Sequence, residues 1–574
     1  MKNSTVDHSP LRVKTVPSEF IYYEHVCEHL NEAGVMGARC ECLALGVIVC
    51  VLRCWCVVDE YVVLSIPFGM KRAHDDASAP PLSSLPVDLA SIDADVATAL
   101  RAAERERSEA ACDAAREATF PFLEAGLEHA AYAPHAAAYA AASLYFADAR
   151  LRASASRPEF VHQAATDALR ALDLAILRGG VELWAPHAES LILAASRLQR
   201  EATKRTSDPD AASSAYNSAS ASEAAAVRRR HFEASCKHFS EVGGEPIPRV
   251  DASSLSTESF RAQYMEGSIE APPRPVILCG ALDEWPALRR WTTAYLMEQA
   301  GTRLVPVETY AVADATSTYL SDSWAQRVMS LSEYIERYVE GAPGSAEAHP
   351  VNEAVDEAVG GSSSAPKPTA KAKAARLEAT AAVEEVSADK AQAADEEAAA
   401  ACAYLAQYQL FDQIPSLRED ILTPRFCAAR TAEDEGAPPE CEQSLTPIVS
   451  AWFGPAGTVS PLHTDPYHNT LAQVVGHKYV RLYEARHTSR LYPRSGALCN
   501  NCHVDLDKPQ PARQPLVKGT PFMHCILAPG ELLYIPRHVW HYVRSLETSF
   551  SVSFWWGAKM ALNLRADGCV EARY

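Results

Sequence analysis

SPLHTDPYHNTLAQVVGHKYVRLY, residues 460–483, is the stretch on which the reading of this chain turns. His463 and Asp465 stand two apart, so on an extended segment both side chains leave the same face and can grip one ion. Further along, Val474, Gly476, Val480 and Leu482 occupy even positions of LAQVVGHKYVRLY. This period-2 pattern predicts strand structure with those residues turned inward. Lys478 shares their parity. An ammonium inside an apolar barrel is costly unless an anion neutralises it; the plainer alternative is a lysine snorkelling to the rim.

A third ligand must come from elsewhere. His541, 78 residues after His463, lies in LLYIPRHVWHYVRSL, where Pro536 closes one strand and His541 opens another. Its rival, His538, sits within the turn itself. Two histidines and a carboxylate on one face of a metal leave open positions, the arrangement of non-haem Fe(II) oxygenases. An isolated H-x-D is common by chance, and His503-Val504-Asp505 is a second copy in a Cys- and Pro-rich stretch without alternation, read here as a decoy. Cys499-Asn500-Asn501-Cys502-His503 also matches the haem-attachment pattern C-x-x-C-H. The preferred reading there is an exposed loop with reactive or zinc-binding thiols.

Working outward, residues 403 to 556 consist of short alternating segments separated by Gly, Pro and Asn, the pattern of an all-β barrel or sandwich. The same domain begins near Pro246. It is interrupted at 341–401 by a run rich in Ala, Glu, Ser and Lys, which cannot bury enough surface to order itself and is expected to be disordered. From about 86 to 242 the chain is rich in Ala, Leu, Glu and Arg. Ala165, Leu169, Leu172 and Ile176 draw one helical stripe that Gly179-Gly180 terminates, and Ala188, Leu191, Ala195 and Leu198 draw another. Antiparallel helical hairpins follow, with a loop over 208–224. Residues 1–85 form a poorly defined hydrophobic, Cys-rich leader ending in AHDDASAPPLSSLP.

With 574 residues, 48% apolar and 22% charged, wholesale disorder and a collagen-like fibre are excluded. The 73 Asp+Glu against 53 Lys+Arg give a net charge of −20, which argues against direct nucleic-acid binding and suits a basic protein or peptide partner. The 16 cysteines follow no framework spacing, and the N-terminus lacks the order of a signal peptide, so a nuclear or cytoplasmic chain with reduced thiols is expected. Leu43 to Val58 (LALGVIVCVLRCWCVV) is short of a spanning helix and contains Arg53, so membrane insertion is not expected. Arg228-Arg229-Arg230 reads as a solvated helix face rather than an import signal.

Taken together, RPVILCGALDEWP (274–286), VPVETY (305–310), YLAQYQLFDQIP (404–415), WFGPAGTVSPLHTDPYHN (452–469), GHKYVRLY (476–483), APGELLYIPRHVWHYVRSL (528–546) and FSVSFWWG (550–557) resemble the JmjC-domain, Fe(II)- and 2-oxoglutarate-dependent oxygenases. The likeness covers most of 246–340 and 403–557. It implies a double-stranded β-helix (jelly-roll) domain, with 246–340 as its N-terminal part and 402–574 as its barrel core, behind an α-helical domain. It further implies His463, Asp465 and His541 as iron ligands, with 2-oxoglutarate and O2 as cosubstrates. Tyr404, Ser460, Asn469 and Lys478 become the 2-oxoglutarate contacts; hydroxyl and amide donors beside an ammonium suit carboxylate oxygens. Glu308, Trp324 and Trp452 resemble the substrate pocket, a carboxylate flanked by indoles that suits a guanidinium; simple core packing is the alternative for each tryptophan. The family includes protein arginyl hydroxylases and histone lysine demethylases. Arginine hydroxylation is the expected activity because Glu308 suits a guanidinium and no chromatin-reader motif is present; a non-catalytic peptide-binding scaffold is the alternative of another class. The chain departs from the family in its spacing between Glu308 and Trp324, the insertion before Tyr404, and its leader.

Overall fold

The computed structural model describes residues 87, 89–124, 132–155, 157–179, 185–206, 229–230, 232–267, 271–311, 320, 324–341, 401–435, 447–495 and 498–557. The leader with Leu43–Val58, the 208–224 loop, Arg228 and residues 342–400 of the expected insertion lie outside them. No helix among the described residues is long and apolar enough to cross a membrane.

Among the described residues five helices come first: α1 (Ala94–Glu106), α2 (Glu109–Glu124), α3 (Tyr132–Ser154), α4 (Val161–Arg178) and α5 (Ala185–Thr206). Asp93 starts α1 by accepting a hydrogen bond from the Asp95 amide, occupying a donor the helix cannot satisfy itself. The alanine run of α3, Ala136 to Ala142, is buried throughout, and its small side chains let neighbouring helices approach closely. On α4 Leu169 and Leu172 of the stripe face the helical core with Ile176 packed against it, and Ala165 is buried on the same helix. The helix stops at Gly179, whose φ of 82° only glycine adopts without strain.

The remainder is β-rich. The strands are β1 (Glu245–Pro246), β2 (Arg249–Asp251), β3 (Val276–Cys279), β4 (Leu304–Ala311), β5 (Ala325–Ser330), β6 (Ala401–Tyr408), β7 (Ile448–Gly454), β8 (Val459–His463), β9 (His468–Val475), β10 (Lys478–Tyr483), β11 (Met523–Leu527), β12 (Glu531–Ile535), β13 (Trp540–Ser545) and β14 (Ser549–Trp556). They form a five-stranded sheet in the order β1-β11-β10-β13-β8 and a nine-stranded sheet in the order β2-β3-β12-β9-β14-β7-β6-β4-β5. Pairing is antiparallel except for β1 with β11 and β2 with β3. Ile277, Leu471, Leu533 and Ile535 of the large sheet meet Val480, Leu482, Leu527 and Val543 of the small one in an apolar layer between them.

The sequence pattern carried one parity through 471–483, and here the structure corrects it. The segment is two strands in two sheets, turned at Gly476 and His477. Leu471 faces the layer between the sheets, whereas Val474 points to the opposite face of the large sheet and packs in a cluster with Trp285, Val552 and Phe554. Lys478, Val480 and Leu482 restart the alternation on β10. Gly476 makes the turn at φ 67°, and a Cβ there would lie 2.1 Å from the Thr548 carbonyl oxygen. Gly476→Ala therefore combines left-handed strain with a backbone clash, and is expected to destabilise the protein by about 3–5 kcal/mol in urea unfolding. An unchanged midpoint would show that the turn relaxes freely.

Candidate active site

Two strands of the small sheet and the loop after one of them assemble the ligand set. His541 on β13 pairs directly with His463 on β8, so the two imidazoles stand side by side with ring centroids 4.1 Å apart. Asp465 follows β8 by two residues, with its carboxylate 3.8 Å from His463 Nε2 and 3.4 Å from His541 Nε2. One ligand atom from each residue falls within 4.8 Å of the others, the single such group among the described residues.

Backbone carbonyls set the orientation of both rings. His463 Nδ1 lies 2.7 Å from the Pro461 oxygen and His541 Nδ1 lies 3.0 Å from the Val539 oxygen. A carbonyl only accepts, so each Nδ1 carries the proton and each Nε2 lone pair is left for a cation. Burial and the neighbouring His541 push the His463 pKa down to about 4, which keeps it neutral. Burial pushes Asp465 upward, but His541, His463 and Asn469 outweigh it and hold the carboxyl below its ordinary value. Burial opposes a charge on His541, but Asp465 and the Val539 carbonyl outweigh it and raise its pKa. A cation therefore displaces that proton as it takes its place between His541, the neutral His463 and the ionised Asp465, the donor set a ferrous ion takes.

Lys478 begins β10 and is 1% exposed. Its ammonium donates to the Tyr404 hydroxyl at 3.2 Å, and no described carboxylate faces it; burial alone pushes its pKa down to about 7. Burial raises the Tyr404 phenol above the ordinary range, with Ser460 nearby opposing the shift. Gly454 leaves the ring its space, since a Cβ there would come within 2.8 Å of it. Asn469 on β9 points its amide nitrogen at Asp465 (3.5 Å), and its buried carbonyl oxygen has no partner among the described residues. The four residues assigned to the cosubstrate thus lie buried near the ligands, with an uncompensated cation among them.

Glu308 on β4 pairs across the sheet with Tyr404 on β6. It is half-buried, and desolvation raises its pKa to about 7 against the opposing influence of Trp324 and Tyr310 nearby. The structure therefore brings Trp324 to Glu308 despite the unusual spacing. Trp452 stands with its ring centroid 6.2 Å from that of Tyr404, its N–H donated to Ser553.

The rival candidates fall elsewhere. His538, at φ 65° in the turn, contributes a backbone amide to the Asp465 carbonyl at 3.0 Å, not a place in the ligand group. In the decoy, the Asp505 carboxylate accepts from the amides of Asp507 and Lys508, and His503 is exposed. The expectation of reactive or zinc-binding thiols in Cys499–His503 is corrected. Cys502 is buried with its thiol pushed up to about 12, and among the described residues no metal-ligating group gathers there. Instead Asn501 bridges to His463, Cys502 N donates to Leu462 O, and the loop extends the sheet beside β8.

Sequence reasoning missed Asp434. Its carboxylate accepts from Thr431 N (2.9 Å), Thr431 Oγ1 (2.8 Å) and Arg537 Nη2 (2.6 Å), bracing the turn that delivers His541. Only the adjacency of Arg537 to that turn hinted at such a brace.

Comparison with known proteins follows the same lines. A family model described as a cupin-like domain matches residues 262–561. Lysine-specific demethylase 8 of Xenopus tropicalis is 36% identical over 311 residues, 54% of this chain and 52% of that protein. Jumonji C domain-containing protein 5 of Drosophila melanogaster is 34% identical over 54% of this chain and 59% of its own. Lysine-specific demethylase JMJ30 of Arabidopsis thaliana is 33% identical over 458 residues, 78% of this chain and 86% of that protein. The chain thus spans about half the length of the first of these animal relatives and most of the plant one.

Proposed function

Since the chain belongs to the cupin-like family of JmjC-domain proteins, we propose that it is an Fe(II)- and 2-oxoglutarate-dependent oxygenase that hydroxylates a protein side chain, arginine first among the candidates. The observation that carries this is Lys478, a buried ammonium without a carboxylate partner, beside a two-histidine, one-carboxylate group. A buried cation of this kind is relieved when an anion docks against it. When bound, iron and 2-oxoglutarate supply the oxidation: dioxygen is reduced as the cosubstrate becomes succinate and carbon dioxide, and one oxygen atom enters a substrate C–H bond.

The protein's own residues bind and orient. His463, Asp465 and His541 would hold the ion; Lys478 and the Tyr404 hydroxyl would grip the distal carboxylate, with Ser460 and Asn469 alongside. Glu308, with Trp324 and Tyr310 nearby, would receive the cationic end of the substrate and fix its C–H bond toward the ion. An acidic chain of net charge −20 would draw a basic protein or peptide to that mouth. A nuclear or cytoplasmic site of action belongs to the same proposal.

A second reading, removal of a methyl group from N-methyl-lysine, is favoured by the names of two of the relatives, both lysine-specific demethylases. The two reactions share the oxidant and differ in product. Incubation with Fe(II), 2-oxoglutarate and a library of arginine and methyl-lysine peptides, followed by succinate assay and mass spectrometry, separates them. A retained oxygen supports hydroxylation; loss of a methyl with formaldehyde supports demethylation; absence of both metal and 2-oxoglutarate binding would leave a peptide-binding scaffold. Glu308→Gln is expected to raise KM for an arginine peptide roughly 10–150-fold, the worth of a charge-assisted hydrogen bond, while 2-oxoglutarate turnover without peptide stays unchanged. In the parent enzyme the same KM should rise as pH falls below about 7, because Glu308 then takes up its proton. A pH-independent KM between 6 and 8 would remove Glu308 from the pocket (roughly one unit to either side of that pKa).

A further inference from the structure

The strand carrying Glu308 is incompletely held by its own sheet. β4 pairs with β5 from Leu304 to Thr309, but with β6 only from Glu308 to Ala311. Beyond Tyr404, β6 shifts register at Leu405–Tyr408 and runs along β7. The half of β4 that leads into Glu308 therefore has a strand on one side only. At Leu304 side chains take the place of the missing ladder. Its amide donates to Asp173 Oδ2 at 2.9 Å, and its carbonyl accepts from Gln413 Nε2 at 2.8 Å.

Asp173 belongs to α4, 131 residues earlier in the chain and in the helical domain. It is fully buried and also takes the adjacent Arg303, whose Nε and Nη2 lie 3.0 and 2.5 Å from its oxygens. Arg303, 2% exposed, spends its remaining reach on the Gln413 carbonyl at 2.8 Å. A second tie runs parallel: Gln199 of α5 donates to both Thr166 and Thr302. A buried carboxylate bound to a guanidinium and a backbone amide allows little freedom to either partner.

We infer that Asp173 is a positioning residue for the Glu308 pocket, through which the helical domain fixes the start of β4 and so the placement of Glu308 opposite Tyr404. The helical domain is then a working part of the site rather than an appended module. This rests on the proposed reading of Glu308 as receptor for the substrate's cation.

Asp173→Asn in the full chain tests it. Amide exchange over 304–311 should quicken at least tenfold while 468–483 stays within twofold of the parent, as local rather than global opening requires. KM for an arginine-bearing basic peptide should rise at least fivefold, with kcat and peptide-free 2-oxoglutarate turnover within twofold. If that variant does not fold, Asp173→Leu paired with Arg303→Met removes both charges, leaves none stranded, and carries the same expectations. Unchanged exchange over 304–311, a rise shared by 468–483, or an unchanged KM would overturn the inference. Should the parent turn over no arginine peptide, that rejects the substrate reading of Glu308, while exchange over 304–311 still decides whether Asp173 holds the strand.

Discussion

Asp465→Ala and His463→Ala are each expected to reduce ferrous-ion affinity by more than ~100-fold, beyond the loss that follows removal of a mere outer-sphere partner, and to abolish substrate-dependent succinate formation. The reasoning is geometric. His463 and His541 are brought together by a strand pair and oriented by their own backbone, so removing the carboxylate leaves two neutral donors and no charge to hold a dication. Mn(II) titration followed by electron paramagnetic resonance reads the affinity independently of turnover. Wild-type Mn(II) binding in either variant would reject the ligand assignment.

Lys478→Met is expected to act in opposite directions on binding and stability. Loss of the charge-assisted contact should weaken 2-oxoglutarate binding roughly 10–150-fold, and the ligand-free protein should become more stable. The sign follows from the depressed pKa. The fold disfavours the charged lysine, so the penalty is complete below about pH 7 and fades as pH rises toward about 10.5, where the unfolded chain also loses its proton. Its size is on the order of 3–5 kcal/mol. Urea unfolding of parent and variant at pH 6 and pH 9, without cosubstrate, should show a gap that narrows at the higher pH. Undiminished 2-oxoglutarate affinity would sink the assignment, and so would a variant less stable than the parent at pH 6.

What could be read from the sequence was local. A two-residue spacing puts His463 and Asp465 on one face of any extended segment, and a lysine in phase with Val480 and Leu482 announces its burial. The error at Val474 was local too: Gly476 turns the chain from one sheet into the other, and a period-2 pattern does not register a change of sheet. Long-range pairings left no such trace. Asp173 and Arg303 are 130 residues apart, and Asp434 and Arg537 are 103 apart; each looks like an ordinary surface charge until the fold removes it from water. Cys499–His503 failed for the reverse reason. Two cysteines three apart suggest reactive or zinc-binding thiols, whereas the fold buries Cys502 and bridges Asn501 to His463.

The carbonyl contacts of the two imidazoles carry a consequence for handling the protein. Because each ring is set by its own strand, the three donors stand ready before any ion arrives, and nothing in their arrangement discriminates against stronger Lewis acids. Zinc, nickel and copper outrank iron for such nitrogen and oxygen donors. Under the proposed iron chemistry, protein isolated from metal-rich medium is therefore expected to carry the wrong ion and to gain activity only after it is stripped and reloaded anaerobically.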